Sequence, residues 1–213
     1  LHKEYRRQRQ MCIRDRETIV IPQQHAGRTV LAFFWADNSL NSNLRNNIRT
    51  MMQGLQAMKD SAALLVYWDG EASDISWPEP CIVEYVTNGQ GGINSMSKEA
   101  VNAMIADQDM SVHDLISIGN IRKKYPPQTS TEKTVMQTVI GDMMSVYPSE
   151  SYGIIFGSHG SGWLPTITGT RSIGQDGGRY SSDTALIPEL AEVLRTVTVS
   201  YTHLRAHETL SDL

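Results

Sequence analysis

Cysteine is scarce in this chain: its 213 residues include two, Cys12 and Cys81. Two thiols make neither a disulfide framework nor a metal-ligand cluster. No apolar run is long enough to span a bilayer, and no segment has the charged start, apolar middle and small-residue cleavage site of a secretory signal. The formal net charge of −4 gives no reason to expect a nucleic-acid partner.

What is present is the composition of an ordinary globular protein, with 40% hydrophobic and 20% charged residues. The length suits one large domain or two small ones with a sizeable core. No internal repeat and no low-complexity linker divides the chain, so composition marks no boundary within its middle.

The two ends differ from that middle. Residues 1–16 hold six Lys and Arg residues against Glu4 and Asp15, whereas residues 17–199 have a net charge of −7. A solvated basic arm is one interpretation of the start. However, RQRQMCIRDR near the start and SYTHLRAHET near the end are both similar to peptides that translated sequencing-adapter DNA gives. We therefore predict artefactual or disordered tails at 1–16 and 200–213, and a gene fragment between them.

The body alternates strand-like and helix-like segments, a pattern typical of βα units and a parallel sheet. Thr29–Ala36 and Ala62–Gly70 are continuously apolar, as strands buried on both faces are. Cys81 begins a shorter strand or hairpin arm that ends in Asn-Gly. Polar residues before the helices, including Ser130 and Thr131, are candidate caps. Apolar residues at helical spacing predict helices over residues 44–58, 99–105, 131–146 and 181–194.

The segment YGIIFGSHGSGW, residues 152–163, ends an apolar strand in a histidine with very small neighbours. Glycine and serine leave the imidazole of His159 unshielded. Open α/β sheets place ligands and chemistry at the carboxyl ends of their strands, where His159 is predicted to lie. A turn histidine without a chemical role is the simplest alternative.

Three kinds of site fit His159 poorly. A serine hydrolase needs Gly-x-Ser-x-Gly, and neither Ser158 nor Ser161 has both glycines at that spacing. A phosphate-binding loop should lead into a helix N-terminus, but Trp-Leu-Pro follows at 163–165. Zinc would need a second histidine at ligand spacing, which is not there.

A cysteine–histidine dyad is the fourth possibility. In such a dyad the imidazole takes the thiol proton and later protonates the leaving amine. Small neighbours suit this role because a peptide backbone must come close to the imidazole. A glycine amide beside the histidine can also point at the oxyanion that forms in acyl transfer.

Three segments resemble successive blocks of the clostripain family of cysteine endopeptidases: TVLAFFWADNSLNSNL, YGIIFGSHGSGWLP and SSDTALIPELAEVL. The resemblance covers roughly residues 28–196. Its most specific part is the His-Gly-Ser-Gly-Trp block. In the family an aspartate often precedes the histidine, whereas this chain has Ser158.

The resemblance implies an α/β caspase-like (caspase–haemoglobinase) fold, a mostly parallel sheet flanked by helices, incomplete here. It implies a peptide or protein substrate cleaved after basic residues, Arg first and then Lys, and no cofactor, with a calcium requirement left open. His159 would be the catalytic histidine and Gly160 an oxyanion donor. Asp37 and Asn38 match the family's first loop, as substrate contacts or as helix caps.

The family's nucleophilic cysteine lies on the strand after the Glu-Leu-Ala helix, and this chain has no such block. Cys81 begins a strand long before His159 and is predicted to be a small buried hydrophobe. Cys12 belongs to the N-terminal tail. We therefore predict that residues 17–199 are the histidine-bearing part of a peptidase domain and are inactive alone.

Other expectations rest on the same resemblance. Family members are typically exported, which predicts a secreted or cell-envelope parent protein. Arg171 and Arg179 follow His159 in a loop, as candidate self-processing sites or as simply solvated side chains. A non-catalytic α/β binding module with a structural His159 is the alternative of another class, and an α/β hydrolase of another type is a third.

Overall fold

The computed structural model describes residues 26–58, 62–70, 79–107, 110–160, 172–176 and 184–197. Within these ranges the strands are β1 (Ala26–Ala36), β2 (Ala62–Gly70), β3 (Cys81–Val86), β4 (Asn120–Lys124), β5 (Ser149–Gly157), β6 (Ser172–Gln175) and β7 (Thr184–Leu186). The helices are α1 (Asn41–Ala57), α2 (Lys98–Ala106), α3 (Val112–Ile118), α4 (Lys133–Val146) and α5 (Ile187–Val197). The tails 1–16 and 200–213 lie outside the described residues, as do Arg171 and Arg179.

Five strands form one mixed sheet in the order β4-β3-β2-β1-β5. β1 lies parallel between β2 and β5, so that Phe34 is opposite both Trp68 and Gly157. β3 is antiparallel to β2, and β4 is antiparallel to β3. Ten residues join β2 to β3, fewer than the dozen or so that a parallel crossover needs. The predicted parallel arrangement therefore describes β1, β2 and β5, the strands nearest His159.

β1 is buried on both faces, which explains its continuous apolar sequence. Phe33 and Trp35 belong to the core on one face of the sheet, and Ala32 and Phe34 to the core on the other. All four are 0% exposed. The ring of Phe33 lies 4.6 Å from that of Tyr67 on β2, measured between centroids. Tilted aromatic packing of this kind makes the middle of the sheet rigid.

Helices cover both faces of the sheet. α1, α2 and α3 pack on the face of Phe34, whereas α4, α5 and the β6–β7 hairpin pack on the face of Phe33. The buried residues of α1 have the helical spacing that predicted it, namely Leu44, Ile48, Met52 and Leu55. None of the helices in the described ranges is long and apolar enough to cross a membrane.

The caps predicted for two helices are wrong. No side chain caps α1 or α4, and two of the candidate caps, Asn38 and Ser130, are engaged elsewhere. Asn38 accepts the backbone N–H of Leu40 within its own turn. The hydroxyl of Ser130 donates to the buried carboxylate of Asp69, and Thr131 does not cap α4 either.

The sequence also misplaced one helix start. The last helix begins at Ile187 rather than at 181, because Thr184–Leu186 pair with β6 as a short antiparallel strand. Residues 112–118 and 120–124, which no pattern had marked, form α3 and β4. α3, β4 and β7 are seven, five and three residues long, too short for a periodic pattern to stand out.

Cys81 is the buried hydrophobe that the sequence predicted. It is the first residue of β3, opposite Trp68. Its side chain is 0% exposed and belongs to the core that also contains Phe34. Packing in the core is therefore sufficient to explain why a cysteine occupies this position.

Candidate active site

His159 lies two residues beyond the end of β5, at the edge where the three parallel strands terminate. Phe34 and Gly157 form the last pair of the β1–β5 ladder, so the loops after these two strands begin side by side. This is the position predicted for His159. Close packing at the strand end requires glycine, because a Cβ on Gly157 would lie 2.6 Å from Cδ1 of Phe34.

The imidazole of His159 is half-buried and bonded to a serine of the neighbouring loop. Its Nε2 lies 2.8 Å from Oγ of Ser39, which is exposed in the turn between β1 and α1. A neutral imidazole has one donor nitrogen and one acceptor nitrogen, and a hydroxyl can match either. The contact therefore holds one ring nitrogen and leaves the other for chemistry.

Ser158, directly before His159, fastens the histidine loop to β6. Its hydroxyl donates to the carbonyl oxygen of Gln175 and accepts the N–H of Gln175, each at a distance of 3.0 Å. The side-chain amide of Asn38 also donates to Ser158 Oγ over 3.2 Å. The ends of β1, β5 and β6 are thus joined beside His159.

Asn38 and Asp37, the predicted substrate contacts or caps, have different surroundings. Asn38 is 2% exposed. Its Nδ2 donates to the carbonyl oxygen of Trp35 over 2.6 Å, and its Oδ1 accepts the N–H of Leu40 over 2.9 Å. Asp37 is half-buried. Asn38 therefore fixes the shape of the turn, and Asp37 is the more accessible of the two.

Gly160, the predicted oxyanion donor, is exposed and directly follows His159. A Cβ at this position would lie 3.1 Å from the carbonyl oxygen of Ser172 on β6. A larger residue would therefore press the loop away from β6. Glycine at position 160 therefore lets the loop stay close to β6. Its backbone N–H belongs to the residue directly after the one that carries the imidazole.

Two buried aspartates, Asp69 and Asp176, lie at this edge of the sheet. Ser130 joins them, because its hydroxyl donates to Asp69 and its N–H donates to Asp176 Oδ2 over 2.6 Å. Burial raises the pKa of Asp69 to about 7, helped by the carboxylate of Asp176 and, less, by that of Asp37. Among the described residues, no group of three or more His, Cys, Asp or Glu side chains could hold a metal ion.

Sequence reasoning missed Ser39, Asp69, Ser130 and Asp176. A signal existed for Asp69, since it ends an apolar strand and so reaches the same sheet edge as His159. Ser39 meets His159 only because β1 pairs with β5, which no local pattern reveals. Ser130 and Asp176 are 46 residues apart in the chain, so their contact also depends on the tertiary fold.

A mixed, mostly parallel sheet flanked by helices is the caspase-like fold of a class of cysteine peptidases. The chain belongs to the clostripain family, Peptidase C11, whose model matches residues 32–204. The family and fold class predicted from the sequence are thereby confirmed. None of the curated proteins matches this chain.

Solved structures of cysteine proteases are similar to this chain. One is a secreted C11 cysteine protease from Bacteroides thetaiotaomicron in complex with an irreversible peptide inhibitor, with 25% identity and a TM-score of 0.54 over 80% of this chain and 39% of that one. Another from this organism, the secreted C11 protease "iotapain", has 17% identity and a TM-score of 0.55 over 82% and 43%. A B. fragilis cysteine protease has 27% identity and a TM-score of 0.47 over 66% and 95%. This chain thus spans about two fifths of the first two proteins.

Proposed function

We propose that this chain carries the catalytic histidine of a cysteine endopeptidase that cleaves after Arg and, less readily, after Lys. The observation that carries the proposal is the placement of His159 at the carboxyl end of β5, with Nε2 bonded to Ser39. A half-buried imidazole, fixed at one nitrogen beside small residues, suits a general base that a peptide backbone must approach.

The proposed reaction has two stages. His159 takes the proton of a cysteine thiol, and the thiolate attacks the peptide carbonyl to form a carbon–sulfur bond. The imidazolium then gives its proton to the leaving nitrogen as the carbon–nitrogen bond breaks. Water hydrolyses the resulting thioester, which releases the acid and restores the thiol. The N–H of Gly160 is the proposed donor to the oxyanion of each tetrahedral intermediate.

The nucleophile of this reaction is proposed to be a cysteine other than Cys12 and Cys81. β5 is the outermost strand of the sheet within the described residues, and its Ile155 is 41% exposed. An open strand edge with an exposed apolar side chain is what an additional strand would cover. We place the strand that bears the nucleophile there, and we infer that the present chain alone is inactive.

Preference for a basic side chain is the second part of the proposal. It is supported by the family relationship and by Asp37, a half-buried acidic residue two positions before Ser39, the residue that contacts His159. Asp176 and Asp37 are both close enough to Asp69 to raise its pKa. Negative charge at a cleft attracts cationic segments. Asp37 remains the proposed substrate contact, whereas Asn38 is buried and bonded within its own turn. Arg171 and Arg179 remain the proposed processing sites.

The parent protein is proposed to act outside the cytoplasm, because similar C11 proteases of Bacteroides are secreted. The deciding experiment extends the natural reading frame past Val199 and expresses its product. An irreversible peptide inhibitor ending in Arg should modify one new cysteine, at the end of an apolar strand and preceded by aspartate. A product that binds such peptides without any modified cysteine would contradict the proposal.

A further inference from the structure

We propose that Ser39 is a positioning residue, which holds His159 with its proton on Nε2 and so makes Nδ1 the nitrogen that receives the thiol proton. The inference rests on the proposed function, because it names the working nitrogen of that base. The observation behind it is the 2.8 Å contact between Ser39 Oγ and His159 Nε2.

The turn that carries Ser39 is fixed on both sides of the residue. Asn38, directly before it, donates to the carbonyl oxygen of Trp35 over 2.6 Å. The same side chain accepts the N–H of Leu40, directly after it, over 2.9 Å. Because Asn38 is 2% exposed, water does not compete for these bonds. The hydroxyl of Ser39 is therefore presented by a rigid turn.

The histidine side of the contact is fixed by the same residue. The amide of Asn38 donates to Ser158 Oγ over 3.2 Å, and Ser158 precedes His159 in the chain. Ser158 is itself bonded twice to the backbone of Gln175. Ser39 and His159 thus extend from two loops that Asn38 joins, and their separation is set by the fold.

The choice of nitrogen follows from which ring nitrogen of the neutral imidazole carries the proton. A base must offer an unprotonated nitrogen to the thiol, and the other nitrogen of a neutral imidazole then carries the proton. Nε2 is engaged by Ser39, and no described residue bonds Nδ1. The productive tautomer therefore has Nε2–H donating to Ser39 Oγ. When Nδ1 takes the thiol proton, the imidazolium keeps that bond, which strengthens as the ring becomes charged.

The tautomer can be measured in the 213-residue chain, without any turnover. Nitrogen-15 NMR of the labelled protein identifies which ring nitrogen of His159 is protonated and how fast that proton exchanges with water. We expect Nε2–H in the wild type. In Ser39→Ala, exchange of this proton should accelerate by at least about tenfold, because a bonded proton exchanges only after its bond opens. Ser39→Thr, which keeps the hydroxyl, should restore slow exchange.

Ser42→Ala is the matched control, since Ser42 is an exposed serine three residues further along, in α1. It should leave the His159 signals unchanged. A proton on Nδ1 in the wild type would overturn the proposal, as would identical exchange rates in wild type and Ser39→Ala. Circular dichroism on each variant tests whether the fold is retained. Retention is expected for Ser39→Ala, because Ser39 is exposed and its truncation removes no core packing.

Failure of this inference can be told apart from failure of the proposed function. In the extended, cysteine-bearing protein, Ser39→Ala should lower kcat about tenfold with little change in KM, since its bond strengthens only as the ring is protonated. If His159→Ala abolishes cleavage while Ser39→Ala matches the wild type in kcat and NMR, only the role of Ser39 is wrong. If His159→Ala leaves cleavage intact, the proposed function is wrong, whatever the NMR spectra show.

Discussion

Cys81 and His159 lie at the same edge of the central sheet but three strands apart. Cys81 is in register with Trp68, which is in register with Phe34 and, through it, with Gly157 at the end of β5. Strands in a sheet are about 4.8 Å apart, so about 14 Å separates the backbone of Cys81 from that of Gly157. A dyad needs its thiol within hydrogen-bond reach of the imidazole.

The chain as it stands should therefore have no proteolytic activity. Cys81 is 0% exposed in the core and too far from His159 to be activated. The measurement is hydrolysis of a fluorogenic peptide ending in Arg by the purified 213-residue chain, with and without a thiol-alkylating agent. Cys81→Ala is the control for any contaminating protease, because it should leave a background signal unchanged. Turnover that alkylation removes and Cys81→Ala abolishes would refute the inactivity.

In a protein that contains this chain together with its nucleophile, His159→Ala should abolish peptide cleavage and leave the fold intact. The dyad would lose its base, whereas the loop would lose one half-buried side chain. Kinetics with an Arg-ended peptide and circular dichroism test both parts. A variant that keeps more than about a tenth of the wild-type kcat would remove His159 from the mechanism.

Substrate profiling should return Arg, and then Lys, on the amino side of the cleaved bond. The expectation follows from the family relationship and from Asp37, an accessible acidic residue in the turn whose Ser39 contacts His159. A peptide library with all residues at that position, digested by the cysteine-bearing protein, provides the measurement. A preference for Asp or for large apolar residues would contradict it.

The sequence was informative where one strand determines its own environment. A continuous apolar run marked β1 and β2 as buried on both faces, and the strand before His159 fixed which edge the imidazole reaches. Side chains that depend on pairing between distant strands could not be read in this way. Ser39 reaches His159 through the β1–β5 register, 120 residues apart in the chain.

The wrong helix caps have a similar cause. Ser130 looks like a cap because it stands just before a helical pattern, but its hydroxyl donates to Asp69 instead. A buried carboxyl group brought from 61 residues away competes for the hydroxyl, and a buried polar group that is left without a partner costs free energy. The local preference of serine for a helix N-cap is here overridden by a contact that only the tertiary fold creates.

The free energy of unfolding should fall as the pH rises, because Asp69 loses its proton inside the folded chain. Its pKa is about 7 in the folded chain against an ordinary 3.8, so between these values the folded state binds a proton that the unfolded state has lost. Stabilisation is then complete below the unfolded pKa and is lost as the pH rises towards 7. Between about pH 5 and about pH 8 the expected loss is on the order of 2–3 kcal/mol.

Asp69→Asn should remove most of that pH dependence, because an amide keeps an acceptor for Ser130 without carrying a charge. Urea unfolding followed by tryptophan fluorescence gives the free energy of unfolding of each variant at the two pH values. Asp107→Asn, an exposed aspartate at the end of α2, is the control for loss of one negative charge. An equal pH difference in wild type and Asp69→Asn would exclude Asp69 as its source.

Gly157→Ala should destabilise the chain by about 1–3 kcal/mol, as overpacking of a well-packed core does. The new Cβ would lie 2.6 Å from Cδ1 of Phe34 and 2.7 Å from Cδ2 of Leu44, both core residues. Gly153→Ala on the same strand is the matched control, since its Cβ would have no atom within 4 Å. Urea midpoints should therefore fall for Gly157→Ala and hold or rise for Gly153→Ala, where alanine also suits a strand better than glycine. Equal midpoints for the two variants would mean that the end of β5 can shift away from Phe34, and that the fold does not fix the strand end that carries His159.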